Sequence, residues 1–265
     1  MNVSIVGAGP GAPDLITVRG MRRLQAAQVV LHDRLVAPEL LAEATGARLV
    51  NVGKAPHRGR LPQEEVDRML VHEASTGQRV VRLKGGDPFV FGLGASEARA
   101  LAAAGIDFEI VPGLSASTAL ASLAGLALTD KGGPTAFCVL SGHLPPGAPG
   151  AADFDRLPVH SSLVVLMGRR YLAAIVARLR AAGWAADTPA ALIASGSTPG
   201  QRVRVGVLGD IIDHAAGLAP PTTLVIGKGV TLRARLAPHL FEPPPPPEPS
   251  TAAPWCPPRS REGAA

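Results

Sequence analysis

Two rhythms of apolar positions alternate along the first half of the chain. Short apolar runs end in glycine, aspartate or proline turns: "VSIVGAG" from Val3, "QVVLHD" to Asp33, "RLVNVG" from Arg48, "QRVVRLKGGDP" to Pro88 and "IDFEIVPG" to Gly113. Each predicts a buried strand. Between them the spacing turns helical. "DLITVRGMRRLQAA" places Leu15, Val18, Met21 and Leu24 on one helix face, with Asp14 as the expected N-cap. "APELLAEATG" predicts a short helix stopped by Gly46, "LPQEEVDRMLVHEASTG" a helix running from Pro62 to Gly77, and "ASEARALAAAG" a fourth. Strands alternating with helices predict a parallel sheet covered by helices.

After "LSASTALASLAGL" the pattern changes. "PTAFCVLSGH", "SSLVVLMG", "TPAALIASG", "QRVRVGVL" and "PTTLVIGKGV" read as strands with fewer helices between them, chiefly "RYLAAIVARLRAAG". The fold class expected is therefore α/β, with two α/β domains, residues 1–112 and 113–240, the second more antiparallel. From Phe241 onward, "FEPPPPPEPSTAAPWCPPRSREGAA" holds too little apolar material to pack, so 241–265 is expected to be a disordered proline-rich tail. No internal repeat is evident.

Composition narrows the function classes. Of 265 residues, 46% are apolar but only 3% aromatic, so the core must be built from Ala, Val and Leu. The formal charge of +5 suits an acidic small molecule, an anionic surface or nucleic acid. No Lys/Arg block interleaved with aromatics is present, which argues against nucleic acid. No apolar run approaches the about 18 to 20 residues of a membrane helix, and the start lacks a basic leader, so no membrane association is expected. Cys138 and Cys256 have no metal-ligand spacing and no disulfide framework, which points to no metal and to a reducing cytoplasm.

Three small-residue turns carry the candidate chemistry. "GAGPGAPD" (Gly7 to Asp14) has the spacing G-x-G-x-G, and Pro10 removes an amide that a phosphate cradle would use. The loop suits a ligand without phosphate, or is a plain strand-to-helix turn. In "VRLKGGDPFVFG" (Val81 to Gly92), Gly85 and Gly86 permit close backbone approach and Asp87 can accept from a ribose hydroxyl or an ammonium. "VPGLSAS" (Val111 to Ser117) repeats the geometry one strand later. All three follow strands, where open α/β sheets bind ligands.

Taken in order and spacing, "VGAGPGAPDLIT", "VVLHDRLV", "VGK", "RLKGGDPFVFG", "FEIVPGLSAS", "LSGH" and "GSTPGQR" resemble the tetrapyrrole methylases from Val3 to about Leu236. The resemblance implies two α/β domains with the active-site cleft between them, a homodimer, and S-adenosylmethionine in the cleft. The family's cofactor positions fall on Pro10, Gly85, Gly86, Asp87, Val90, Ser115, Ala116, Met167 and Gly196. Without the resemblance, Met167 at a strand end reads as core. The proton acceptor and donor fall on Asp33 and Lys54, which by themselves read equally as a strand-end turn residue and a surface charge. The implied activity is C-methylation of uroporphyrinogen III on rings A and B to precorrin-2, toward sirohaem or cobalamin.

The chain departs from the resemblance in one loop. Where the family's "FGRGGEE" is expected stands "FGLGASE", with Leu93 for arginine and Ser96 for the first glutamate, and "LTDK" replaces "LTHR". A polycarboxylate acceptor then needs cations from elsewhere: Lys131 keeps one, and "GKAPHRGR" offers Lys54, His57, Arg58 and Arg60. Alternatives are a methyltransferase for another precorrin or a non-tetrapyrrole acceptor, a non-catalytic cofactor-binding homologue, and a dinucleotide-binding oxidoreductase, which Pro10 opposes.

Overall fold

A computed structural model describes residues 2–53 and 61–236. Five strands form the first sheet: β1 (Val3–Gly7), β2 (Val29–His32), β3 (Arg48–Asn51), β4 (Val80–Lys84) and β5 (Phe108–Val111). Their order is β3-β2-β4-β1-β5, and every pairing is parallel. Helices cover both faces, so β1, β2 and β4 are buried throughout and read as apolar runs rather than alternations. On one face α1 (Val18–Gln25) and α2 (Pro38–Ala42) pack Leu24 and Leu40 against Val6, Val30, Val81 and Leu83. On the other, α3 (Gln63–Ala74) and α4 (Gly94–Ala103) pack Val66, Leu70 and Leu101 against Ile5, Leu31 and Val80.

Helix α1 starts later than its apolar spacing suggests. Residues Pro13–Leu15 form a single tight 3-10 turn, and Thr17, not Asp14, is the N-cap, its Oγ1 accepting from the Gly20 amide at 3.1 Å. Val18 is consequently exposed, while Gly20 and Leu24 face the sheet. A cap hydroxyl that satisfies a free first-turn amide decided the start over apolar periodicity.

The second sheet contains β6 (Phe137–Ser141), β7 (Ser162–Leu166), β8 (Pro189–Ala194), β9 (Arg202–Val207) and β10 (Thr222–Ile226), in the order β6-β7-β10-β8-β9. β6 and β7 are parallel, and the other pairs antiparallel. Helix α5 (Ala116–Leu123) covers one face through Leu120 and Ala121. Helix α6 (Leu172–Ala181) and the short α7 (Ile211–His214) cover the other, around Ile175, Leu179, Trp184 and Ile211. A last turn, α8 (Leu232–Arg235), closes the described chain. The proline-rich segment 241–265 lies outside the described residues.

Candidate active site

Because the first sheet is parallel, the carboxyl ends of β1, β2, β4 and β5 share one edge, and their following loops crowd together there. Two glycines make the crowding possible. A Cβ on Gly7 would lie 2.6 Å from Gly113 Cα and from the Gly86 carbonyl oxygen, and one on Gly113 would lie 2.3 Å from that same oxygen. Gly86 donates its amide to Gly9 O at 2.7 Å, and Gly9 returns a bond to Gly86 O at 3.3 Å. Asp87 locks the assembly: one carboxylate oxygen accepts from the Phe89 amide at 2.8 Å, the other from the Gly113 amide at 3.1 Å. On the opposite side the backbone is bare, since a Cβ on Gly85 or Gly86 would meet nothing within 4 Å. The turn is closed toward its own protein and open toward the cleft.

The second sheet presents a matching edge. β10 runs antiparallel to both β7 and β8, so β6, β7 and β8 point the same way. Their carboxyl ends carry Ser141–His143, Met167–Gly168 and Ser195–Ser197 to one rim. That rim meets the first: the Ala12 amide donates to Ser197 Oγ at 3.0 Å. Pro10, Gly85, Gly86 and Asp87 on one rim therefore face a cleft shared with Met167 and Gly196 on the other, with Ser115 capping α5 between them (Ser117 amide to Ser115 Oγ, 3.2 Å) and Ala116 opening that helix. Val90 is exposed on the first rim. Gly196 is buried, and a Cβ there would strike Leu120 at 2.6 Å, so it contributes backbone.

Met167 does not lie in the core, the place a strand-end methionine suggests by itself. It is 50% exposed and holds a left-handed backbone, φ 59°. Among the described residues, every non-glycine residue with positive φ lies on the two rims: Phe91 (52°), Leu93 (60°), Met167, Ser195 (48°) and Ser197 (64°). Such conformations are strained for L-residues by on the order of 1 to 3 kcal/mol each, and they concentrate where ligands are held.

Beneath the cleft, β4 carries buried charge. Arg82 is 3% exposed and spends its guanidinium on four acceptors: Glu97 Oε1 from Nε at 2.8 Å, the carbonyls of Leu31 (3.3 Å) and Leu83 (3.1 Å) from Nη1, and Asp33 Oδ1 from Nη2. Lys84 Nζ donates to the same Glu97 oxygen at 2.7 Å. Glu97 Oε2 is buried without a partner among the described residues. Burial works against the Arg82 charge, but Glu97 and Asp33 outweigh it and hold the guanidinium above its ordinary range. Burial, reinforced by the Arg82 charge, pulls the Lys84 ammonium below its own. Asp33 is thus both the turn residue after β2, its amide bonded to Leu83 O at 3.1 Å, and a partly exposed carboxylate fixed from below by a buried arginine. Arg82, Lys84 and Glu97 join Asp33 only in the folded chain. In the sequence, Arg82 and Lys84 show as two cations inside the otherwise apolar "VVRLK".

The altered loop is also defined. Leu93 is exposed and is the N-cap residue of α4, offering no side-chain cap, while Ser96 donates to Asp67 at 2.7 Å, and Gln63 donates to Asp67's other oxygen at 2.7 Å. Lys131 is exposed between α5 and β6. Lys54, His57, Arg58 and Arg60 lie outside the described residues. No cluster of three or more His, Cys, Asp or Glu able to hold a metal occurs among the described residues, and none of their helices is long and apolar enough to cross a membrane.

The profile of the tetrapyrrole (corrin/porphyrin) methylases matches residues 2–212. The chain belongs to the tetrapyrrole methylase family. Among solved structures, the chain is similar to the uroporphyrin-III C-methyltransferase of Thermus thermophilus, with 42% identity, a TM-score of 0.76, and coverage of 89% of this chain and 96% of that one. A Thermus thermophilus structure of that enzyme complexed with S-adenosylhomocysteine matches at 37% identity and a TM-score of 0.75, covering 88% and 100% of the two chains. A cobalt precorrin-4 methyltransferase shares the fold at 27% identity and a TM-score of 0.77, over 86% of this chain and 95% of that one. Curated relatives include the siroheme synthases of Methylococcus capsulatus (42% identity) and Azotobacter vinelandii (44%), each matching 89% of this chain. The chain spans about half the length of these two relatives (51%).

Proposed function

We propose that this methylase transfers methyl groups from S-adenosylmethionine to ring carbons of uroporphyrinogen III, giving precorrin-2 for sirohaem or cobalamin synthesis. The observation that carries the reading is the Gly85–Gly86 turn, packed tight on one side and open on the other, in a chain 42% identical to a uroporphyrin-III C-methyltransferase. The residues fit the cofactor. Backbone without Cβ at Gly85 and Gly86 admits a flat ligand, Pro10 leaves no phosphate cradle, and Met167 and Val90 offer apolar contact. Pro10, Gly85, Gly86, Asp87, Val90, Ser115, Ala116, Met167 and Gly196 would hold it, and when bound it supplies a methyl group on a cationic sulfur.

The remaining chemistry belongs to the chain. Once a pyrrole carbon has been alkylated, the ring system must lose a proton, and Asp33 is assigned as its acceptor. Arg82 aims that carboxylate through Oδ1, while the exposed part of Asp33 receives the proton. Lys54 is assigned as proton donor, and Lys131, Arg58 and Arg60 as partners for the acceptor's carboxylates. Domains divided at about residue 112, a homodimer and a cytoplasmic location complete the reading, with neither nucleic acid nor membrane as partner.

The test is incubation of purified protein with uroporphyrinogen III and methyl-labelled S-adenosylmethionine. Labelled precorrin-2 is expected; unlabelled tetrapyrrole together with intact S-adenosylhomocysteine binding would reject the acceptor and retain the cofactor. One observation favours a second acceptor: exposed Leu93 at the rim gives an apolar contact where an arginine is usual. A precorrin with fewer or masked carboxylates, run in competition, distinguishes the two.

A further inference from the structure

The loop after β1 is tied at both ends. Gly9 exchanges two backbone bonds with Gly86, and the Ala12 amide donates to Ser197 Oγ on the opposite rim at 3.0 Å. Pro10 lies between the two ties. At the second tie the rims are in close contact: a Cβ on Gly11 would lie 2.8 Å from Ser197 Oγ, 3.1 Å from Thr198 Cγ2 and 3.2 Å from Gly196 O. The Ser197 side is itself braced. Its amide donates to Oε1 of the buried Gln201 at 2.8 Å, and Gln201 returns its own amide to Thr198 O at 2.9 Å. Thr198 Oγ1 donates to Ser195 O at 2.7 Å, and the Ser195 amide to Pro221 O at 2.9 Å. Ser197 holds φ 64°, a backbone that glycine adopts without strain. As backbone, serine is the poorer choice there; what it adds is the hydroxyl. The apolar clusters of the two sheets share no residue, so polar contacts such as this one, and not a common core, hold the rims together. The Ser197 bond thereby fixes the spacing between the Gly85–Gly86 turn and the backbone of Gly196.

We propose that Ser197 is a positioning residue for the cofactor: by latching the Ala12 amide it sets the cleft width at which S-adenosylmethionine touches both rims at once. The inference rests on the assignment of Pro10, Gly85, Gly86, Met167 and Gly196 to the cofactor. A latch that keeps the rims at the binding spacing raises affinity in proportion to the fraction of molecules it holds closed.

The experiment is calorimetric binding of S-adenosylhomocysteine to the full chain, beside thermal unfolding without ligand. Ser197→Gly removes the acceptor and relieves the left-handed backbone, so affinity should fall about 5-fold, the scale of one net hydrogen bond. Ser197→Thr keeps the oxygen but puts a β-branched residue at positive φ, so it should unfold at a lower temperature yet bind as wild type does. The two variants then rank in opposite orders: threonine binds better, glycine is the more stable. A residue that served folding alone would move both measurements together. Wild-type affinity in Ser197→Gly, or affinities that merely follow stability, would overturn the latch; if Gly85→Ala still weakens binding, the cofactor assignment survives that result. Undiminished binding in both Ser197→Gly and Gly85→Ala would overturn the latch and the assignment it rests on.

Discussion

The middle strands of the two sheets, β4 and β10, are both fully buried and both flanked by partners on each side, yet they bury different chemistry. β10 buries Thr222 and Thr223 with Leu224, Val225 and Ile226, and Thr222 satisfies its hydroxyl locally on Ala219 O at 3.0 Å. β4 buries Arg82 and Lys84, which share one oxygen of Glu97 from the facing helix α4. Buried ion pairs rarely repay their desolvation, so a charged middle strand is not explained by stability. What the charges add is reach: Arg82 extends from the core to Asp33 at the cleft. β4 builds charge into the centre of the first sheet, whereas β10 fills the centre of the second with uncharged side chains.

The largest effect should come from breaking the cluster on one side only. Arg82→Met leaves Lys84 as the charged partner of Glu97 and Asp33 without its anchor, so unfolding in urea should show a loss of about 3 to 5 kcal/mol. Removing all three charges as Arg82→Met, Lys84→Met and Glu97→Leu should restore stability to wild type or above it by about 1 to 4 kcal/mol, while turnover stays lost. If the triple variant is as unstable as the single one, the cluster is structural and the contrast with β10 collapses. Asp33→Asn tests the functional end of the same network: turnover should fall about 100-fold, the scale of a positioned base, with S-adenosylhomocysteine affinity unchanged by calorimetry.

The glycine turns sharpen the comparison at finer scale. Gly113→Ala forces a methyl against the Gly86 carbonyl oxygen and should destabilise the fold by about 1 to 3 kcal/mol. Gly85→Ala places its methyl in open space, so stability should change by less than about 0.5 kcal/mol while S-adenosylhomocysteine binding weakens. A Gly85→Ala protein that binds normally would remove the cofactor from that wall.

The smallest effect of breaking an ion pair lies at the surface of the first sheet. Burial raises the Glu109 carboxyl, but hydrogen bonds from Arg23 and Ser4 outweigh it and hold the group below the ordinary range. Its folded pKa lies below its unfolded value of about 4.3, so its contribution is present above that pH and is lost as pH falls through the folded value. Arg23 is half exposed, so Glu109→Gln should reduce stability at neutral pH by less than about 1 kcal/mol and flatten the acid limb of the stability profile. Against the loss expected for Arg82→Met, this measures how far burial multiplies an ion pair.

The strands and the principal helices, the three glycine turns and the family were legible in the sequence, because period, turn chemistry and motif spacing are local properties. Asp33, Gly85 and Asp87 could be named on those grounds. Tertiary structure alone decided the rest. Arg82 meets Glu97 across 15 residues, and Asp33 across 49, only because strand register puts Arg82 on the α4 face of the sheet. Ala12 meets Ser197 across 185 residues only because the carboxyl edges of both sheets close on each other. Gly85 and Gly113 look alike in sequence, yet one faces open space and the other a carbonyl 2.3 Å away. A pattern along the chain specifies which residues can turn, bury or ionise; which of them meet depends on register and on how the two sheets pack.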